Sequence, residues 1–237
     1  MSSETLQLSI PHARNFVLCL SMNKVIVIGT GHSESGACTS DELLKIVQKI
    51  SPTVIFFEAS PEIFPAMLKA TGTFNTPEIK AIRTIIETNS SVVIPVDIDG
   101  DPFDKRLEAM FELFRNSDKD YFCATEIQAG ETHRLGFLFL NSDDSDQIHR
   151  DKDSMEKIFV ARANHSELSK THKDWLEWND KRENHWVNVI HDYFERHKIS
   201  TAVFLVGSAH RIRLMEKIKK FQGNSVLIPS WDFCPFR

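Results

Sequence analysis

The chain has 237 residues, 41% of them hydrophobic and 26% charged, with a formal net charge of -5. That length suits one α/β domain spanning 1–237, with enough apolar residues for a sizeable core. The negative balance argues against a nucleic-acid surface or a polybasic membrane contact, and no run approaches the roughly 20 apolar residues of a membrane-crossing helix. The four cysteines, Cys19, Cys38, Cys123 and Cys234, form no C-x-x-C pair. They read neither as a zinc ribbon nor as a disulfide scaffold, and a reducing cytoplasm is the expected home.

In chain order, Phe16 to Leu20 predicts a strand, turning at Ser21 to Asn23 into a second. That second run, Lys24-Val25-Ile26-Val27-Ile28-Gly29-Thr30-Gly31-His32, is β-branched and reads as a strand buried on both faces. Gly29 and Gly31 allow a sharp bend or close approach to a ligand. His32 then stands at the carboxyl end of a central strand, where open α/β sheets place their ligands.

Thr39 and Glu42 have capping-box spacing, and Leu43, Leu44, Ile46, Val47 and Ile50 follow with helical periodicity. Val54 to Glu58 predicts a strand ending on a carboxylate, and Pro61 to Ala70 and Pro77 to Thr88 predict helical pieces split by Thr71-Gly72-Thr73. Ser91 to Asp97 predicts another strand, at a sheet edge because Pro95 cannot donate to a ladder. Repeated strand–helix–strand units imply a largely parallel sheet.

Residues 105–198 predict a helical insertion or cap: a helix from Leu107 to Phe114, a strand or buried turn over Gly136 to Leu140, a solvated loop over Asn141 to Asp146, then long helices. The core resumes at Thr201 to Val206, which runs into Gly207-Ser208-Ala209-His210, a second Gly-x-x-His after a buried strand. A helix from Ile212 to Phe221 and a strand near Ser225 to Ile228 close the chain. The expected fold is α/β, a mainly parallel mixed sheet flanked by helices with a helical insertion in the middle.

His32, Glu58 and His210 all end apolar strands, so adjacent parallel strands would bring them to one edge. Two imidazoles and a carboxylate are a common ligand set for a catalytic divalent cation. Asp97 is a fourth candidate ligand by position. Glu34 is a second candidate base, and Arg182, with no acid at i±3 or i±4, a candidate oxyanion stabiliser.

Together these residues resemble the Tiki/TraB family, grouped with erythromycin-esterase-like and ChaN-like proteins. The likeness rests on Gly29-Thr30-Gly31-His32, Pro52-Thr53-Val54, Phe56-Phe57-Glu58, Pro95-Val96-Asp97, Arg182-Glu183-Asn184 and Gly207-Ser208-Ala209-His210. It covers Phe16 to Lys105 and Arg182 to Ile228. The family's arginine after the strand-three aspartate is absent, since Ile98 follows Asp97. The resemblance implies a metal-dependent hydrolase of peptide or ester bonds. Manganese or cobalt, or else zinc, would sit on His32, Glu58, His210 and Asp97, and Glu58 and Arg182 would assist a metal-activated water. The alternatives are a binding protein that sequesters a peptide or haem-like ligand, and a metal-independent esterase with a histidine base. Expected partners are a peptide or small-molecule substrate, with no nucleic acid and no membrane.

Overall fold

The computed structural model describes residues 23–69, 74–100, 105–221 and 229–236. The strands expected at Phe16 to Leu20 and Ser225 to Ile228 lie outside the described residues, as do Thr71 to Thr73.

Among the described residues, five strands form one sheet: β1 (Lys24–Thr30), β2 (Val54–Phe57), β3 (Val92–Pro95), β4 (Thr201–Gly207) and β5 (Ser230–Asp232). Their order is β3-β2-β4-β1-β5, and every pairing is parallel. Among the described residues the sheet is parallel, in line with the mainly parallel sheet expected. β3 lies at an edge, as Pro95 requires.

The continuous apolar runs have a plain cause. Ile26 and Ile28 point into one core, while Val25 and Val27 point into the other. Both faces are covered, so Val25 to Ile28 are apolar without alternation and polar residues stand only at the ends of β1. The first core is roofed by α1 (Ser40–Ile50), α3 (Pro77–Glu87) and the short turn α6 (Phe137–Leu140), through Leu43, Val47, Ile79, Ile82 and Phe137. α1 starts at Thr39, whose hydroxyl accepts from the Glu42 amide. Between α1 and α3, α2 (Phe64–Lys69) adds Phe64 to the same core.

The insertion comprises α4 (Lys105–Ser117), α5 (Lys119–Leu135), α6, α7 (Asp143–Ala163) and the first half of α8 (Ser166–Arg196). Leu107, Met110, Phe114, Tyr121, Val160 and Leu168 give it a small core of its own. At 31 residues, α8 runs about 46 Å. Its start packs in the insertion through Leu168, and its end packs on the sheet through Trp186, Val187, Ile190 and Phe194. α9 (Arg211–Phe221) completes that second face with Leu214 and Ile218.

Two expectations are corrected here. Asn141 to Asp146 is not a solvated loop: Asn141, Ser145 and Asp146 are buried. Gly29 does not bend toward a ligand. It lies inside β1, gripped by Asn141, whose Oδ1 accepts from the Gly29 amide at 2.7 Å and whose Nδ2 donates to the Gly29 carbonyl at 2.9 Å. A methyl group there would meet Arg211 Cδ at 2.6 Å. Arg211 itself pairs with Asp146 and donates to Asn141. A buried polar clamp therefore ties the junction of α6 and α7 to the carboxyl-terminal part of β1.

Candidate functional site

β2, β4 and β1 are neighbours and run the same way, so their carboxyl ends share one edge. Glu58 follows β2, His210 ends the 3-10 turn after β4, and His32 stands two residues past β1. Gly207 forms the floor between them. From the place a Cβ would occupy there, Glu58 Oε2 is 3.4 Å away, His210 Cδ2 3.6 Å and His32 Nε2 3.7 Å. The structure thus brings these three predicted residues together. Glu58 Oε2 accepts from the Gly207 amide at 2.6 Å, and Glu58 Oε1 lies 3.6 Å from His210 Nε2.

Burial alone would push the Glu58 carboxyl up. His210, Arg182, His32 and the Gly207 amide outweigh it and hold the group below its ordinary value. Glu58 is therefore ionised at neutral pH and a weak base.

Arg182 has acids to pair with after all, from elsewhere in the chain. Its NH2 donates to Glu58 Oε1 at 2.5 Å and to Asp97 Oδ2 at 2.7 Å, its Nε to Asp97 Oδ1 at 3.0 Å, and its NH1 to Asn179 Oδ1 at 3.3 Å. Its guanidinium lies 4.8 Å from the Trp186 ring centroid. With its fork committed to two carboxylates, Arg182 is placed as a strut holding Glu58, not as an oxyanion donor. Asp97 is likewise committed: Oδ1 also accepts from Trp186 Nε1 at 2.8 Å and from the Ile98 amide at 2.9 Å. Its lone pairs face donors, so it is not placed as a metal ligand.

Glu34 is committed to other partners. It accepts from the Ser40 amide and from Lys80 Nζ, and Lys80 foremost lowers its carboxyl to about 2. Nothing in that position serves a base.

Two carboxylates that the motif reading passed over stand behind the histidines. Glu183, with no solvent exposure, has Oε1 2.8 Å from His210 Nδ1. Glu78, in the first turn of α3, is also buried, and its Oε1 is 3.6 Å from His32 Nδ1. Neither Glu78 oxygen has a hydrogen bond among the described residues. The two imidazoles differ in restraint: the His32 side chain is 74% exposed and that of His210 10%. A readable signal for Glu183 existed. Asn179, Arg182, Glu183 and Trp186 fall at i, i+3, i+4 and i+7, on the stripe that Val187, Ile190 and Phe194 continue into the core.

The insertion reaches the same turn. His149 Nε2 of α7 lies 3.3 Å from Ser208 Oγ and 3.5 Å from Gln128 Nε2 of α5, and Lys152 donates to Gln128. Burial, then Lys152, pushes His149 down to about 4, so it is neutral here.

A divalent ion needs several donors with free lone pairs around one point. The donor types of His32, Glu58 and His210 suit manganese, cobalt or zinc. Their placement does not: both Glu58 oxygens already accept hydrogen bonds, and the Arg182 guanidinium holds the cationic position beside them. Among the described residues, no three His, Cys, Asp or Glu side chains stand where they would hold an ion. The chemistry open to this arrangement is proton transfer at imidazole, with a fixed negative charge alongside.

No protein-family model, curated protein or solved structure matches the chain. The likeness to the Tiki/TraB family rests on its motifs alone. No helix among the described residues is long and apolar enough to cross a membrane.

Proposed function

We propose that the chain hydrolyses an ester or peptide bond at this floor, with His210 as the proton-transfer group. One observation carries the reading. His210 is fixed between two carboxylates, Nδ1 on Glu183 at 2.8 Å and Nε2 facing Glu58 at 3.6 Å, with His32 across Gly207. Nε2 takes a proton from water as its oxygen bonds to the substrate carbonyl carbon, and the carbonyl electron pair moves onto oxygen. When the tetrahedral species collapses, the bond to the alkoxide or amine breaks and that group takes the proton from Nε2. Water and substrate have become acid plus alcohol or amine, and His210 is restored. Glu58, ionised and anchored by Arg182, offsets the positive charge that appears on His210 between those steps. In this reading His32, exposed across Gly207, contacts the leaving group.

The test offers purified protein a panel of aryl esters and unstructured peptides, with and without chelator. Turnover is expected in both conditions, and His210→Gln is expected to lose about 10²–10⁴-fold, the usual worth of a general base. Chelator-abolished turnover restored by manganese or cobalt would replace this mechanism with the metal-dependent one that the family resemblance implies. A substrate retained but never cleaved would replace it with sequestration.

A further inference from the structure

Proton transfer at His210 requires a bare Nε2, and a free imidazole in water does not guarantee one. Neutral histidine carries its proton on either nitrogen, and only a partner on one side settles which. Of the two carboxylates beside the ring, only Glu183 is within hydrogen-bond distance; Glu58 Oε1 stands 3.6 Å from Nε2, too far to hold a proton there. Glu183 Oε1, an acceptor, lies 2.8 Å from Nδ1, so Nδ1 is the nitrogen that carries hydrogen. The carboxylate has no solvent exposure, so water does not compete for that contact. Its charge is balanced from behind by Arg213 NH1 at 3.8 Å from Oε1 and Lys217 Nζ at 3.7 Å from Oε2. Those two cations are held in turn by Asp153 and Asp180.

The ring plane is settled as well. Trp186, fully buried, packs edge-to-face against His210 with centroids 5.0 Å apart and planes at 86°. Half a turn of the ring would set Cδ2 against Glu183 Oε1 and forfeit the hydrogen bond in a dry site, a costly exchange. Trp186 and Glu183 sit three residues apart on α8, so one helix face determines both the orientation and the tautomer.

We infer that Glu183 is a positioning residue that holds His210 in the Nδ1–H tautomer with Nε2 bare toward the floor. This rests on the reading of His210 as the proton-transfer group, yet it is measured without turnover. The experiment is a two-bond ¹H–¹⁵N correlation spectrum of protein labelled at the histidine ring nitrogens. The His210 signal is assigned by its loss in His210→Gln. The wild type is expected to show a protonated Nδ1 and a bare Nε2. In Glu183→Ala, and in the better-filling Glu183→Met, that preference should give way to Nε2–H or a mixture, with kcat falling at least about 10²-fold and KM moving little. A wild-type spectrum with hydrogen on Nε2 overturns the inference even if no variant folds. So does an Nδ1–H tautomer that persists in either variant. A wild type with the expected tautomer and no hydrolysis sinks the catalytic reading and leaves the role of Glu183 standing.

Discussion

Replacing Arg182 by methionine removes a buried cation while nearly conserving volume, so the cost falls on what the cation held. Glu58 and Asp97 have side chains only 11% and 12% exposed. Both would keep their burial and lose their counter-charge. Breaking a buried ion pair from one side costs about 3–5 kcal/mol. At roughly 2–4 °C per kcal/mol for a chain of this size, melting should fall by about 6–20 °C. Urea unfolding at pH 7 reads the loss directly.

The pH dependence supplies the sharper check. In the wild type, Glu58 is held below its ordinary value of 4.5. Its pairing therefore stabilises fully above about pH 4.5 and is lost as pH falls through its lower folded value. Without Arg182, protonating the stranded carboxylates relieves the defect. The gap between wild type and variant should be widest at neutral pH and narrow toward pH 4. Arg182→Lys keeps the charge but not the fork, and should lose less stability while still slowing turnover, because Glu58 is no longer pinned. A methionine variant within about 1 kcal/mol of wild type at pH 7, or a gap constant across that range, would refute the strut assignment.

His149, neutral in the fold down to about pH 4, takes up a proton below about 6.5 when unfolded. Stability should therefore fall by roughly 3 kcal/mol between pH 6.5 and 4, and none of that should be lost above 6.5; His149→Gln should flatten the limb, and an unchanged limb would show that the drop comes from elsewhere. Gly29→Ala should cost about 1–3 kcal/mol by overpacking against Arg211 and Leu140, measured by denaturant titration; a neutral result would mean the clamp is loose. Glu34→Gln should leave turnover within about twofold, since Glu34 faces Lys80 and Ser40, and a large loss of kcat would reinstate it as a base. Gly207→Ala should fold, because its methyl has ordinary contact distances of 3.4–3.7 Å, yet reduce kcat/KM by crowding the floor; unaltered kinetics would place the reaction elsewhere.

Much of the fold is legible because burial on two faces leaves a mark in β-branched runs bounded by turn residues, a mark that the Phe137–Leu140 run, helical in the fold, shares only in part. Val25 to Ile28 and Ala202 to Val206 are apolar without alternation, so they had to be inner strands, and Pro95 sent its strand to an edge. Strand ends follow from strands, and Glu58, His32 and His210 fall on one edge once β2, β4 and β1 are parallel neighbours. Long-range polar pairing leaves no such mark. Arg182 finds its acids not at helical spacing but just past the ends of β2 and β3, 124 and 85 residues away. Asn141 to Asp146 has the composition of a surface loop, yet Arg211 and the Gly29 backbone give those polar atoms partners indoors.

By itself, then, the order of residues determined which segments are inner strands and which chemical groups stand at their ends, because periodicity and burial are local properties written into neighbouring side chains. What each group does there was decided by tertiary structure. A carboxylate is a base, a ligand or an anchor according to which donors surround it, and a histidine offers one nitrogen or the other according to what backs its ring. Glu58 ends as an anchored charge and Asp97 as the seat of Arg182. Glu183, on the buried stripe of α8, meets His210 because a 31-residue helix that begins in the insertion passes the strand ends at that point.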